Sequence, residues 1–187
     1  MKAKGNVVDD YNGIICSVIN ACEFKNYLEL GLAGGHQFDK VSKNCPNLET
    51  MVAVDIRTSD WTIFNPLPTN PRMKIYNGTK TDDFFANNVK DHKFDVAFID
   101  ACHNYDQVMR DFNNVLNVIE EDGIIFMHDT YPPNQSHTTE GACSDAYKAY
   151  MDICDNYRKV CECVNVPIFC GLNIVRKINR SRRILTI

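Results

Sequence analysis

The chain has 187 residues, 44% hydrophobic and 24% charged, with a formal net charge of -4. That length builds one domain around a substantial core and is too short for two. The acidic balance argues against a nucleic-acid partner, which calls for a basic face, and no apolar run reaches the ~18 residues that span a bilayer.

Residues 1–10 lack the apolar stretch of a signal peptide. The nine cysteines are scattered and contain no C-x-x-C pair. Reduced thiols acting mostly as small core residues in a cytoplasmic compartment are therefore expected, and a zinc knuckle is not. Arg176, Lys177, Arg180, Arg182 and Arg183 make a basic end, read as a solvated tail.

In chain order, Ile14, Ile15, Val18, Ile19 and Cys22 form the apolar stripe of a leading helix. Tyr27 to Leu30 reads as a strand, and the glycine-containing turn Gly31 to Gly35 opens a helix reaching Asn44 before Pro46. Thr50 to Val54 is a second strand, closed by Asp55. Asp60 to Pro71 is a loop with one helical turn at Trp61 to Phe64. Met73 to Tyr76 is a third strand, followed by the turn Asn77-Gly78 and a short helix capped by Thr81. Phe94 to Ile99 is a buried fourth strand. Val108, Phe112, Val115, Leu116 and Ile119 stripe the next helix, which ends in an Asp122-Gly123 turn. Gly123 to Met127 is the fifth strand, and Ala142 to Tyr157 a last helix. Lys159 to Val164 and Leu172 to Ile178 close the chain, joined by a link too short for a crossover, so they should run antiparallel. The alternation argues for one doubly wound Rossmann-like α/β domain.

Two segments concentrate the chemistry. Asp100-Ala101-Cys102-His103 and His128-Asp129 each follow a buried strand. In an open parallel sheet such strand ends lie side by side at the ligand-binding edge. Two carboxylates and two imidazoles would meet there, as in a metal site with a base beside it. In the other half, Glu29-Leu30-Gly31-Leu32-Ala33-Gly34-Gly35 joins strand to helix, where glycine lets backbone approach a ligand. Asp55 follows Gly35 by 20 residues, a spacing that suits a ribose diol. The G-x-G-x-x-G dinucleotide fingerprint is broken by Ala33.

Tyr27-Leu-Glu-Leu-Gly31, Val52-Ala-Val-Asp55, Asn77-Gly-Thr79 and Phe98-Ile-Asp100 resemble class I S-adenosylmethionine-dependent methyltransferases. Phe98 to Tyr105, His128-Asp-Thr130, Asp145 to Tyr150 and Phe169 to Asn173 resemble the branch with macrocin-type sugar O-methyltransferases and cephalosporin-hydroxylase-like proteins, methyltransferase family 24. The resemblance implies a seven-stranded, mostly parallel sheet with an antiparallel C-terminal pair. It places Glu29 and Gly31 near the methionine part of the cofactor, with Gly35 in the same turn. It gives Asp55 the ribose, Gly78 and Thr79 the adenine, and Asp100 the methyl donor.

By the same resemblance, Asp100, His128 and Asp129 would hold a divalent metal (magnesium or manganese) and His103 would be the general base, with Asp100 beside it. His128 departs from the family, which has a carboxylate there. Imidazole is poor for magnesium and better for manganese, iron or zinc. The expected activity is O-methylation of a sugar- or diol-like small molecule. A cofactor-binding protein without catalysis and a nicotinamide-dependent oxidoreductase are the competing classes. Expected organisation is an N-terminal helical lid over 1–25, the methyltransferase domain over 26–178 and the basic tail over 179–187. A homo-oligomer, no membrane and no nucleic-acid partner are also expected. Acceptor walls would come from Met1 to Lys25, Asp60 to Pro71 and Tyr131 to Glu140.

Overall fold

The computed structural model describes residues 11–58, 62–89, 92–179 and 181. Among these residues five α-helices and seven strands follow in the order α1 (Tyr11–Ala21), β1 (Asn26–Leu30), α2 (His36–Asn44), β2 (Thr50–Asp55), β3 (Met73–Asn77), α3 (Thr81–Asn87), β4 (Phe94–Ile99), α4 (Tyr105–Val118), β5 (Ile119–His128), α5 (Ala146–Asn156), β6 (Cys161–Val166) and β7 (Leu172–Lys177). The sheet order is β3-β2-β1-β4-β5-β7-β6. β1 through β5 pair in parallel, and β7 is antiparallel to both β5 and β6. The expected fold class is therefore the observed one.

Successive strand residues point to opposite faces, and both faces are covered. Leu28, Leu30, Val52, Val54, Ala97 and Ile99 pack with Phe84, Phe112, Val115 and Ile153 of α3, α4 and α5. Tyr27, Met51, Ala53, Val96, Phe98 and Phe126 pack with Ile15, Ile19, Phe38 and Val41 of α1 and α2. The chain leaves β1 outward to β2 and β3, then returns to β4 on the other side of β1. The crevice between the C-terminal ends of β1 and β4 is the topological switch point, where ligands bind in such sheets.

Four local expectations are corrected. The Asp122-Gly123 turn is instead a bulge within β5: the pairing of Phe94 with Ile119 jumps to Val96 with Ile124, and Asp122 has φ 65°. A Cβ on Gly123 would lie 2.8 Å from the Glu120 carbonyl oxygen, so glycine lets the bulge close. Thr81 is not a cap. Lys80 occupies that position without a side-chain bond, and the Thr81 hydroxyl accepts from Gln107 Nε2 at 3.1 Å. α5 starts at Ala146 rather than Ala142 because Ser144 adopts φ 49°. At the expected helical turn, Trp61 lies outside the described residues, as does Asp60. Thr62 to Phe64 are not helical, and the Ile63 N–H donates instead to the Gly34 carbonyl.

Much of the proposed lid, residues 1–10, and most of the basic tail also lie outside the described residues. Among those described, no helix is long and apolar enough to cross a membrane.

Candidate active site

The cofactor half is held together by backbone. Gly31 has φ 92°, and a Cβ there would sit 2.1 Å from the Asp100 carbonyl oxygen. Only glycine lets the β1–α2 turn lie this close to the end of β4. The Gly31 N–H donates to the Val54 carbonyl at 2.9 Å, and Asp100 N–H to Leu30 at 2.8 Å, tying three strand ends together. Asp55 clamps the turn: Oδ2 accepts from Ala33 N–H at 2.6 Å and Oδ1 from Arg57 N–H at 2.7 Å.

A cavity of about 450 Å³ opens here, lined by Gly31, Asp55, Thr79, Asp100, Cys102 and Asp111 among others. Of the residues expected at the cofactor, Gly31, Asp55, Thr79 and Asp100 face this cavity, whereas Glu29, Gly35 and Gly78 do not line it. Gly35 lies against Thr62 and Phe64, and Gly78 makes a turn whose N–H donates to the Arg57 carbonyl at 2.9 Å. Glu29 is fully buried. Its Oε2 accepts from the Tyr27 hydroxyl at 2.5 Å, and Oε1 has no partner. Burial pushes this carboxyl up to about 8 against the pull of the Tyr27 hydrogen bond, with Asp100 and Asp55 adding to the rise. A buried orphan acceptor costs free energy until a donor reaches it, and a ligand ammonium group fits that need.

The reaction half is held together by side chains from distant segments. His103 Nε2 lies 3.3 Å from Asp100 Oδ1 and 3.1 Å from Asp129 Oδ2. His128 Nδ1 lies 3.4 Å from Asp100 Oδ1 and 3.5 Å from Asp129 Oδ1. The other nitrogen of each ring faces a backbone carbonyl, His103 Nδ1 that of Ala142 at 2.5 Å and His128 Nε2 that of Phe169 at 2.7 Å. The hydrogen bond to Asp100 raises His103 to about 9, against burial. Burial lowers His128, but Asp100 and Asp129 outweigh it and bring it to about 10. Burial raises Asp129, but the two histidines hold it below its ordinary value. Asp129 adopts φ 58°, a costly conformation for a non-glycine residue, and its two carboxylate oxygens meet the rings of His103 and His128. The Tyr11 ring of α1 lies 4.6 Å from the His128 ring and covers it.

All four residues singled out from the two segments thus meet. Two carboxylates and two imidazoles are donor types that a divalent ion accepts, and each ring has its outer nitrogen on a carbonyl, as in metal-ligating histidines, but His128 lies outside the tight group of the other three. The ligand atoms of Asp100, His103 and Asp129 lie within 4.8 Å of one another. The mixed nitrogen and oxygen set suits manganese, iron or zinc better than magnesium.

Some site residues escaped the sequence reading. Arg57, Gln107 and Arg110 line the cavity. Asp111, which the sequence offers equally as a brace for an active-site group or a solvated helix position, is fully buried there. Its Oδ1 accepts from Gln107 Nε2 at 3.0 Å, and burial pushes it up to about 6, opposed by Thr81 and Gln107. The spacing of Gln107 and Asp111, four apart on one helix, was the available signal. The Ala142 and Phe169 carbonyls, being backbone, left none.

Sheet order, switch-point cavity and strand-end carboxylates together define a class I methyltransferase fold. A family model described as a methyltransferase domain matches residues 28–130, more than half of the chain. The chain belongs to this family, and it is an S-adenosylmethionine-dependent methyltransferase. Solved structures agree in fold. A Podospora anserina methyltransferase, PaMTH1, bound to S-adenosylhomocysteine is 16% identical with TM-score 0.70, covering 90% of this chain and 78% of that one. An O-methyltransferase from Bacillus cereus, also in complex with S-adenosylhomocysteine, is 16% identical with TM-score 0.65, covering 89% and 80%. The O-methyltransferase TomG from Streptomyces achromogenes, involved in tomaymycin synthesis and solved with S-adenosylmethionine, is 11% identical with TM-score 0.66, covering 90% and 79%. No curated protein sequence matches the chain significantly.

Proposed function

We propose that the protein methylates a hydroxyl of a small sugar- or diol-like acceptor, with a divalent ion held at Asp100, Asp129 and His128 and with His103 taking the hydroxyl proton. The observation that carries this reading is the meeting of three side chains, His103, His128 and Asp129, around Asp100, whose oxygen Oδ1 lies within 3.4 Å of both imidazoles. The O-methyltransferase descriptions of the neighbours from Bacillus cereus and Streptomyces achromogenes support oxygen as the acceptor atom. A bound ion would lower the pKa of a ligated hydroxyl and orient two adjacent ones.

The chain's own groups do the rest. The cavity beside Gly31 and Asp55 would hold the cofactor, and Glu29, which does not line the cavity but leaves Oε1 unpartnered, would accept from its ammonium group once the ligand reaches it. The sulfonium methyl is already activated, so alignment and proton removal are what remain. The Ala142 carbonyl fixes His103 Nδ1 as a donor, which leaves Nε2 as the atom that exchanges a proton. In the carboxylate field His103 stays protonated up to about pH 9; positive charge between the two carboxylates frees it as a base.

The test is methyl transfer to a panel of vicinal diols and catechols, with and without chelator, for wild type, Asp100→Asn, His103→Ala and Asp129→Asn. Turnover that needs the ion and drops in all three variants supports the reading. Unchanged turnover in all three would remove it. Cofactor binding without transfer to any acceptor would favour a binding protein instead.

A further inference from the structure

Next to the reaction cluster, and sharing Asp129 with it, lie two thiols that the chemistry above leaves unused. Ligand atoms of Asp129, Cys143 and Cys170 all lie within 4.8 Å of one another. Both thiols are free. Cys143 and Asp129 are buried, while Cys170 is partly exposed and keeps the group open to solvent on one side.

The thiols come from separate loops. Cys143 follows the short 3-10 turn Gln135–Thr138, and its N–H donates to the His137 carbonyl at 2.9 Å. Cys170 lies in the turn before β7, where Phe169, Cys170 and Gly171 have φ 45°, 67° and 95°. Two successive non-glycine residues in this region cost about 1–3 kcal/mol each and persist only where the surroundings fix them. Here the Phe169 carbonyl accepts from His128 Nε2 at 2.7 Å, and the Cys170 carbonyl accepts from Tyr131 N–H at 2.7 Å. Gly171 packs so closely that a Cβ would lie 2.3 Å from the Tyr131 nitrogen. The turn thus carries Cys170 to a thiol and a carboxylate that are themselves buried.

We propose that Asp129, Cys143 and Cys170 form a second metal position, of thiolate character, that takes a borderline-soft divalent ion such as zinc and shares Asp129 with the neighbouring oxygen–nitrogen site. Thiolates select zinc over magnesium, calcium and manganese, and zinc accepts sulfur and carboxylate in one tetrahedral set with water in the remaining place. Binding forms two Sγ–metal bonds and one carboxylate–metal bond and releases the two thiol protons to solvent, with no change in oxidation state. An ion held here draws on the Asp129 carboxylate, so zinc competes with an ion between Asp100 and Asp129.

Cobalt(II) tests the assignment, because thiolate ligation gives it a strong near-ultraviolet charge-transfer band that oxygen and nitrogen ligands do not. The full chain is titrated with cobalt under a phosphine reductant, and zinc content is read on the same samples by native mass spectrometry. Wild type is expected to show the band, saturating at one ion. Cys143→Ser and Cys170→Ser should each lose most of it, and the double variant should hold one zinc fewer. Asp100→Asn and Cys154→Ser should keep it. Circular dichroism confirms that the serine variants are folded. No band in wild type, or a full band in the folded double variant, would overturn the assignment. No methyl transfer is measured, so the result is independent of the reaction proposed above.

Discussion

The two halves of the cleft are built on opposite plans. At the half expected to take the cofactor, backbone N–H groups of Gly31, Ala33 and Arg57 are locked onto the Val54 carbonyl and the Asp55 carboxylate, within two neighbouring strand ends. At the reaction half, Asp100, His103, His128 and Asp129 hold one another by side chains, steadied by carbonyls of Ala142 and Phe169 from two further loops. The first plan ties cofactor geometry to the sheet itself. The second leaves the reaction chemistry dependent on loops, which can vary while the sheet stays the same. Mutations should therefore act differently in the two halves, with coupled loss of fold and binding in one and loss of turnover alone in the other.

The sharpest break is Gly31→Val. Its side chain collides with the Asp100 backbone and demands φ 92° of a β-branched residue. A destabilisation of about 3 kcal/mol or more is expected from overpacking plus left-handed strain, together with loss of S-adenosylhomocysteine binding by calorimetry. A variant that melts like wild type and binds normally would mean that the close contact is not needed. Next in size is His103→Ala, for which turnover should fall by about 10²- to 10⁴-fold while cofactor affinity holds. An equal fall in cofactor affinity would erase the distinction between the halves.

The same contrast explains what the sequence disclosed. Local rules exposed β1, β2, β4 and the turn at Gly31, because hydrophobic runs and glycine positions are written in adjacent residues. Asp100, His103, His128 and Asp129 were legible as strand-end residues because parallel strands bring their ends together. What escaped is non-local. Thr81 reads as a cap until tertiary packing brings Gln107 to its hydroxyl. Asp122-Gly123 reads as a turn because a bulge and a turn use the same residues, and only the pairing with β4 separates them. The nearness of Cys143 and Cys170 to Asp129 depends on loops whose course no periodicity encodes.

Glu29 tests whether the cofactor half also relies on a charge. Its carboxyl is raised to about 8 by burial, so it is largely protonated at pH 7 before ligand arrives. Glu29→Gln keeps the shape and the Tyr27 contact. The melting temperature should barely move, whereas affinity for S-adenosylhomocysteine should drop by roughly 10- to 100-fold, the worth of a hydrogen bond to a charged group. Affinity unchanged across pH 6 to 9 would separate Glu29 from the ligand ammonium group.

The smallest expected effect concerns the metal-free reaction half alone. His103 and His128 are raised to about 9 and about 10, from an ordinary ~6.5. A base whose folded pKa is raised binds its proton more tightly in the folded state. Its stabilisation is complete below about 6.5 and disappears as pH climbs through the folded value. Chelator-treated protein should therefore lose melting temperature between pH 7 and 10. Asp129, held low, contributes stability that is already fully present at pH 7 and adds no slope in this range. Glu29, raised by burial, loses stability in the same direction but only up to about pH 8. Above pH 8 the imidazoles and the buried thiols of Cys45, Cys143, Cys161 and Cys163, which burial also raises, lower stability in the same direction, so the double variant His103→Gln, His128→Gln should reduce the slope without removing it. Should the double variant keep the wild-type slope from pH 8 to 10, the two rings would not be the cations that balance Asp100 and Asp129, and the reaction half would need another source of positive charge.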